Sequence, residues 1–193
     1  VYKEVANSVT ECQHYIELAK KDLEKGNFDE MPKEPIKSFH EQSAHEIMCM
    51  KNYFEEMNDF LKGVFYGTIA LTARGCNNYV WTSSTVGKNI EPKRYIDFFK
   101  KMESKVKKHS KYFNDINCPD AAIIYGDSRL LSKYIKPHSI DYVFTSPPYF
   151  DGLDYTAYYG KLIYDIFETN RIEIKKQLIQ YVNTYENDMK RSN

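Results

Sequence analysis

The second half of the sequence predicts an α/β fold, and a few observations lead to that prediction. Two short apolar runs, residues 121–125 and 140–144, have the length of strands and end in turn-forming residues. A short helical pattern at residues 128–135 separates them, and a second one at residues 157–167 follows after a loop. Strand, helix, strand, loop and helix in this order are typical of a sheet covered by helices.

The first half of the chain predicts helices. Residues 2–25 carry apolar side chains at spacings of three and four and are followed by Gly26, as expected of an amphipathic helix with a glycine cap. Residues 31–35 contain two prolines and predict an extended connector. A second helical region begins near Ser43 and continues into an apolar segment that ends near Gly75.

A polar loop with the single tryptophan is expected at residues 77–89, and Glu91-Pro92 then opens another helix with proline in its first turn. The polar face of this helix is basic. Its lysines are Lys100, Lys101, Lys105, Lys107, Lys108 and Lys111. Such a face is more often solvated surface than a DNA contact. The pattern divides the chain into a helical region, residues 1–115, and an α/β portion, residues 116–193.

Composition restricts the possible partners. The 27 basic and 27 acidic residues give no net charge, so any contact with nucleic acid must come from a local patch. The cysteines are far apart, and His40 and His45 do not share a helix face, so we expect no metal site. Without a membrane span or a signal-peptide pattern, the sequence predicts a cytoplasmic protein with reduced thiols.

Two loops in the α/β portion contain residues suited to binding or catalysis. Gly126-Asp127 follows the first apolar run, and Ser146-Pro147-Pro148-Tyr149 follows the second. Ligands of open α/β sheets bind where loops leave the carboxyl ends of strands. The sequence therefore predicts that these two loops lie side by side at one edge of the sheet.

The second loop suits methylation of an exocyclic amine on a nucleic-acid base. The Ser146 hydroxyl and the Pro147 carbonyl can accept hydrogen bonds from the two N–H groups, which localises the nitrogen lone pair and stabilises the developing positive charge. The prolines fix the local dihedral angles and hold that carbonyl outward. Tyr149 offers a flat face on which a flipped base can stack.

Residues 124–129 and 140–149 resemble the DNA amino-methyltransferases that act on cytosine N4 or adenine N6, in both motifs and in their separation. The resemblance implies a partial Rossmann-like methyltransferase sheet, S-adenosylmethionine as cofactor and DNA as partner. It implies a catalytic role for the loop Ser146-Pro147-Pro148-Tyr149. Serine at the first position is similar to the cytosine-N4 branch.

The same resemblance assigns residues to the two ligands. Asp127 and Thr145 would bind the cofactor, with Asp127 accepting a hydrogen bond from its adenine amino group. Among the tyrosines that follow the motif, Tyr155 is the best candidate for contact with the substrate. A covalent mechanism is not predicted, because Cys118-Pro119 has the reverse order of the cytosine-C5 nucleophile.

One departure from the family concerns glycine. The family's Phe-x-Gly-x-Gly loop, which holds the methionine end of the cofactor, is absent, since the eight glycines include no Gly-x-Gly pair. Because the sequence starts at Val1 inside a helical pattern, we expect a fragment whose cofactor loop lies upstream, or a partner chain that supplies it. The alternatives are an adenine-N6 or RNA amino-methyltransferase, and a non-catalytic subunit that binds DNA or a partner.

Overall fold

The computed structural model describes residues 2–79, 93–114, 122–124, 126–145, 156 and 160–177. The α-helices of this part of the chain are α1 (Tyr2–Lys25), α2 (Lys33–Ile36), α3 (Glu41–Lys51), α4 (Asp59–Cys76), α5 (Phe98–Asn114), α6 (Lys161–Ile166) and α7 (Arg171–Gln177). The long helices α1, α4 and α5 pack against one another, and α3 packs on α1 and α5. We call α1 and α3–α5 the bundle.

The predicted α/β sheet is wrong, because the structure is helical and its described residues contain no strand. Residues 122–124 and 140–144 are irregular and exposed, with Ile123 at 85% and Phe144 at 88% of their maximal accessibility. An apolar run becomes a strand only when a neighbouring strand accepts its hydrogen bonds. The described residues provide no such neighbour, so the partial Rossmann-like sheet is not supported.

Several helix predictions are confirmed, with shifted ends. Helix α1 covers the predicted range and is followed by Gly26 at φ +66°, a left-handed conformation in which glycine carries no steric penalty. The predicted connector at residues 31–35 is wrong in part, since α2 begins inside it and ends at Ile36. The predicted helix at residues 128–135 is a 3-10 turn, Ser128–Lys133.

Apolar side chains of the bundle form one core. Phe65 of α4 and Phe98 of α5 are fully buried, and their rings meet edge to face with centroids 5.5 Å apart. Cys12 and Cys49 are buried in the same core, and burial raises the pKa of both thiols to about 12. These cysteines therefore remain neutral and act as small apolar groups.

Asn58 fixes the N-terminus of α4 against α1. Its Oδ1 accepts a hydrogen bond from the Leu61 N–H at 2.9 Å, which is the usual N-cap interaction. Its Nδ2 donates to Glu11 Oε2 at 2.7 Å and to Ser8 Oγ at 3.3 Å. One side chain thus satisfies a free helix donor and joins two helices.

The start of α5 is set by residues far away in the sequence. Glu46 of α3 is 3% exposed, and its Oε2 accepts the Phe98 N–H while its Oε1 accepts the Tyr95 hydroxyl, both at 2.7 Å. Ser43 accepts from the Ile96 N–H and donates to the Ile96 carbonyl. The predicted opening Glu91-Pro92 lies outside the described residues, and residues 93–97 are not helical.

Candidate functional site

The predicted site residues are only partly described. Ser146, Pro147, Pro148, Tyr149 and Tyr155 lie outside the described residues. The predicted cofactor residues Asp127 and Thr145 are within them, Asp127 half-buried and Thr145 exposed. The expected meeting of the two loops depended on parallel strands. Without strands in the described segments, that expectation loses its structural basis.

Gly126 and Asp127 directly precede the 3-10 turn, which begins at Ser128. The Asp127 carbonyl accepts the Leu130 N–H at 2.9 Å. The Tyr134 ring lies directly against Gly126, where a Cβ would be 2.7 Å from the ring atom Cζ. A side chain at this position would have to displace the Tyr134 ring, a packing reason for glycine that the motif alone did not provide.

The segment downstream of the motif is attached to the bundle. Ile166 at the end of α6 is fully buried, and its carbonyl accepts a hydrogen bond from Lys51 Nζ of α3 at 3.0 Å. The next residue, Phe167, packs its ring 4.8 Å from that of Phe54 and 5.5 Å from that of Tyr66, measured between centroids. Thr156, closer to the motif, is also buried. The helical region is thus the support to which this flank of the motif is docked.

The described residues do not by themselves enclose a cofactor. Thr145 is exposed, and the apolar side chains before it have large accessible fractions, 73% for Val143 and 81% for Tyr142. A cofactor pocket normally covers most of the surface of its ligand. The described residues around Thr145 therefore do not form a cofactor pocket by themselves.

Neither a metal site nor a membrane-spanning helix is found in the described ranges. No group of three or more His, Cys, Asp or Glu side chains there has the arrangement of a metal site. None of the helices that the structure describes combines the length and apolar character needed to cross a bilayer.

The lysines of α5 do not form one uniform face. Lys107 turns toward α1, where Glu103 binds it at 2.7 Å and also accepts a hydrogen bond from Gln13. Lys105 turns toward α4, and its ammonium lies against Gly67 where a side chain would otherwise stand. Lys101 also approaches α4: its Nζ lies 3.6 Å from the position that a Cβ on Gly75 would occupy.

An exposed aromatic ring continues this side of the molecule. Tyr79 follows α4, is 56% exposed and has a φ of 64°, next to Asn78 at 52°. The Arg94 guanidinium lies 5.5 Å from the centroid of the Tyr79 ring, and Lys101 Nζ lies 6.0 Å from it. We call Tyr79, Arg94, Lys101 and Lys105 the cationic edge.

Sequence reasoning identified the lysines of this edge but missed Tyr79 and Arg94. The spacing of four between Lys101 and Lys105 was visible and places both on one side of a helix. The positive φ of Tyr79 was not visible, because tyrosine rarely adopts it. A shallow cleft of about 390 Å³, lined in part by Asp59, His109 and Lys105, marks the far end of the edge.

Comparison with known proteins gives no relative: no protein-family model matches the chain, and neither curated proteins nor solved structures yield a match. The functional proposal therefore depends on the residues of this chain.

Proposed function

We propose that this chain provides the catalytic motif of an S-adenosylmethionine-dependent DNA amino-methyltransferase, with cytosine N4 as the acceptor. The observation that carries the proposal is the motif Ser146-Pro147-Pro148-Tyr149, preceded at the family's separation by Gly126-Asp127. An enzyme of this kind would act in the cytoplasm. Adenine N6 remains the second acceptor to be tested.

The roles of the motif residues follow from the chemistry of an aryl amine. The Ser146 hydroxyl oxygen and the Pro147 carbonyl accept the two amine N–H groups, so the nitrogen lone pair is turned away from the base ring. The same oxygens stabilise positive charge as it develops on nitrogen, which is where preorganised dipoles are most effective. Tyr149 stacks on the base, and base–aromatic stacking contributes about 1–3 kcal/mol.

Two structural observations support the proposal without testing it. The downstream flank is docked to the bundle through Ile166 and Phe167, as a motif that must hold a fixed position requires. The upstream flank exposes large apolar side chains between residues 140 and 144, a surface that further polypeptide would cover. We propose that this polypeptide brings the glycine-rich cofactor loop, from the same protein or from a partner chain.

The test is Ser146→Ala in the complete protein or complex that contains this chain. We expect turnover on duplex DNA to fall by about 10²–10³-fold, the loss typical for one preorganised polar group at the reacting centre, with little change in cofactor affinity. Ser139→Ala is the matched control, because it removes only a local hydrogen bond from Ser139 Oγ to the Lys136 carbonyl at 2.7 Å.

Two results would contradict this function. Equal losses of turnover and cofactor binding in Ser146→Ala would give Ser146 a structural role, and no methyl transfer by the complete complex would favour a non-catalytic subunit. Mass spectrometry of the DNA nucleosides identifies the acceptor. N4-methylcytosine is expected, and N6-methyladenine as the main product would overturn the base assignment alone.

A further inference from the structure

The cationic edge carries positive charge that has no acidic partner among the described residues. Arg94, Lys101 and Lys105 form no ion pair with an acidic side chain in the described part of the chain. Lys107, on the same helix as the two lysines, is paired with Glu103 at 2.7 Å. Glu103 therefore pairs with a lysine on the side of α5 that faces α1, whereas the lysines on the α4 side have no such partner within the described ranges.

Lys105 holds its charge in an environment that disfavours it. Its side chain is half-buried against α4, and this burial lowers the pKa of the ammonium from its ordinary value. Both lysines approach α4 at a glycine. Lys105 lies against Gly67, and Lys101 lies near Gly75. An anion bound here would offset the unfavourable desolvation, because it supplies a counter-charge that the described residues do not.

The aromatic end of the edge is held in an unusual backbone conformation. A bulky residue with positive φ is uncommon, and here Tyr79 follows Asn78, which also has a positive φ. The Tyr79 N–H donates to the Arg74 carbonyl at 2.6 Å, which fixes the turn. The result is an exposed ring with the Arg94 guanidinium 5.5 Å and Lys101 Nζ 6.0 Å from its centroid, within the range of cation–π contacts.

We propose that the cationic edge, Tyr79, Arg94, Lys101 and Lys105, binds the phosphate backbone of duplex DNA. Lys101 and Lys105 are one helical turn apart, about 6 Å along the axis, and Arg94 extends the row beyond the start of α5. Cations arranged in a row suit a polyanion better than a single phosphate group, which needs converging donors. With a net charge of zero, the protein depends on such a local patch for any contact with DNA. This inference rests on the proposed function only in naming DNA as the anion.

The experiment compares two double variants of the full chain. Lys101→Gln/Lys105→Gln removes two charges of the edge. Lys21→Gln/Lys25→Gln removes two exposed charges at the same spacing on α1. Binding to a fluorescent 20-base-pair duplex of mixed sequence is followed by anisotropy over a range of salt concentrations, and circular dichroism checks that helix content is retained.

We expect the edge variant to bind roughly tenfold or more weakly at low salt. The slope of log K against log salt should decrease in magnitude by about 0.9 for each phosphate that the variant no longer neutralises. The α1 variant should keep the affinity and slope of the wild type. Methyl transfer is not needed for this measurement, so its outcome is independent of the Ser146 test.

Equal weakening in both variants would overturn the proposal, because it would indicate a diffuse charge effect. An unchanged affinity in the edge variant would overturn it as well. Vesicles of anionic phospholipid serve as the second ligand. Binding to these vesicles that depends on Lys101 and Lys105, without binding to DNA, would assign the edge to a membrane surface instead.

Discussion

The bundle and the described residues between 122 and 145 both contain apolar side chains, but these are buried in the bundle and exposed in the segment. In the bundle Phe65 and Ile47 are fully buried, whereas Phe144 in the segment is 88% exposed. A helix closes its hydrogen bonds within itself, so its apolar face needs only another face to pack on. A short extended run cannot form its backbone hydrogen bonds within itself. It depends on a neighbouring segment that accepts them and covers its apolar side chains. We therefore expect the bundle to be stable alone and the segment to need further polypeptide.

The largest expected difference in stability is between phenylalanine-to-alanine substitutions in the two regions. Phe65→Ala should lower the free energy of unfolding by about 3–5 kcal/mol, because it opens a cavity among buried rings. Phe144→Ala should change it by less than about 0.5 kcal/mol, because that side chain is already in solvent. Urea denaturation followed by circular dichroism measures both. A comparable cost at Phe144 would show that the segment is packed like the bundle.

Substitution of one carboxylate in each region, Glu46 and Asp141, should give a smaller difference in the free energy of unfolding. Glu46→Ala leaves the Phe98 N–H and the Tyr95 hydroxyl without their partner, and we expect a loss of about 1–3 kcal/mol in the free energy of unfolding. Asp141→Ala, in the exposed segment, should have almost no effect. The same denaturation assay applies, and equal values for the two variants would contradict the capping role of Glu46.

The pH dependence of stability sharpens this contrast. Burial raises the pKa of Glu46 above its ordinary value of 4.5, against the opposing hydrogen bonds from Tyr95 and Phe98. The folded state therefore favours the protonated carboxyl, and this stabilisation is present below pH 4.5 and lost as the pH rises through the raised pKa. Glu46→Gln does not titrate. The excess stability of the wild type over this variant should thus decrease as the pH rises from about 4.5, and a constant difference would exclude the effect.

The smallest expected effect separates folding from binding within the bundle. Gly63→Ala should raise the free energy of unfolding by about 0.5–1 kcal/mol, because alanine is the better helix former and nothing lies within 4 Å of its Cβ. Gly67→Ala should gain less, since its Cβ displaces the Lys105 ammonium. Only Gly67→Ala should weaken DNA binding in the anisotropy assay. Equal DNA affinities in the two variants would show that the position of the Lys105 ammonium beside Gly67 does not matter for DNA binding.

Local sequence pattern predicted the part of the fold that local interactions determine. Helix α1 was predicted with its range and its following glycine. The start of α5 was not, because it depends on Glu46, which is 52 residues away from Phe98 in sequence. The strand prediction failed because length and apolarity describe a run without revealing what covers it. For the site, the motif residues stay a prediction, and the sequence showed the lysines of the edge without the strained turn at Tyr79.

The backbone hydrogen bond between Cys76 and Arg94 bears on how the protein tolerates a change in the length of the sequence between them. The Arg94 N–H donates to the Cys76 carbonyl at 3.0 Å, and Lys93 donates to the Asn77 side chain beside it. These bonds hold the two ends of the intervening sequence together at the end of α4. Each doubling of the length of such a connection costs only about 0.6 kcal/mol in closure entropy. We therefore expect a change in the length of the sequence between residues 79 and 93 to cost the bundle little stability.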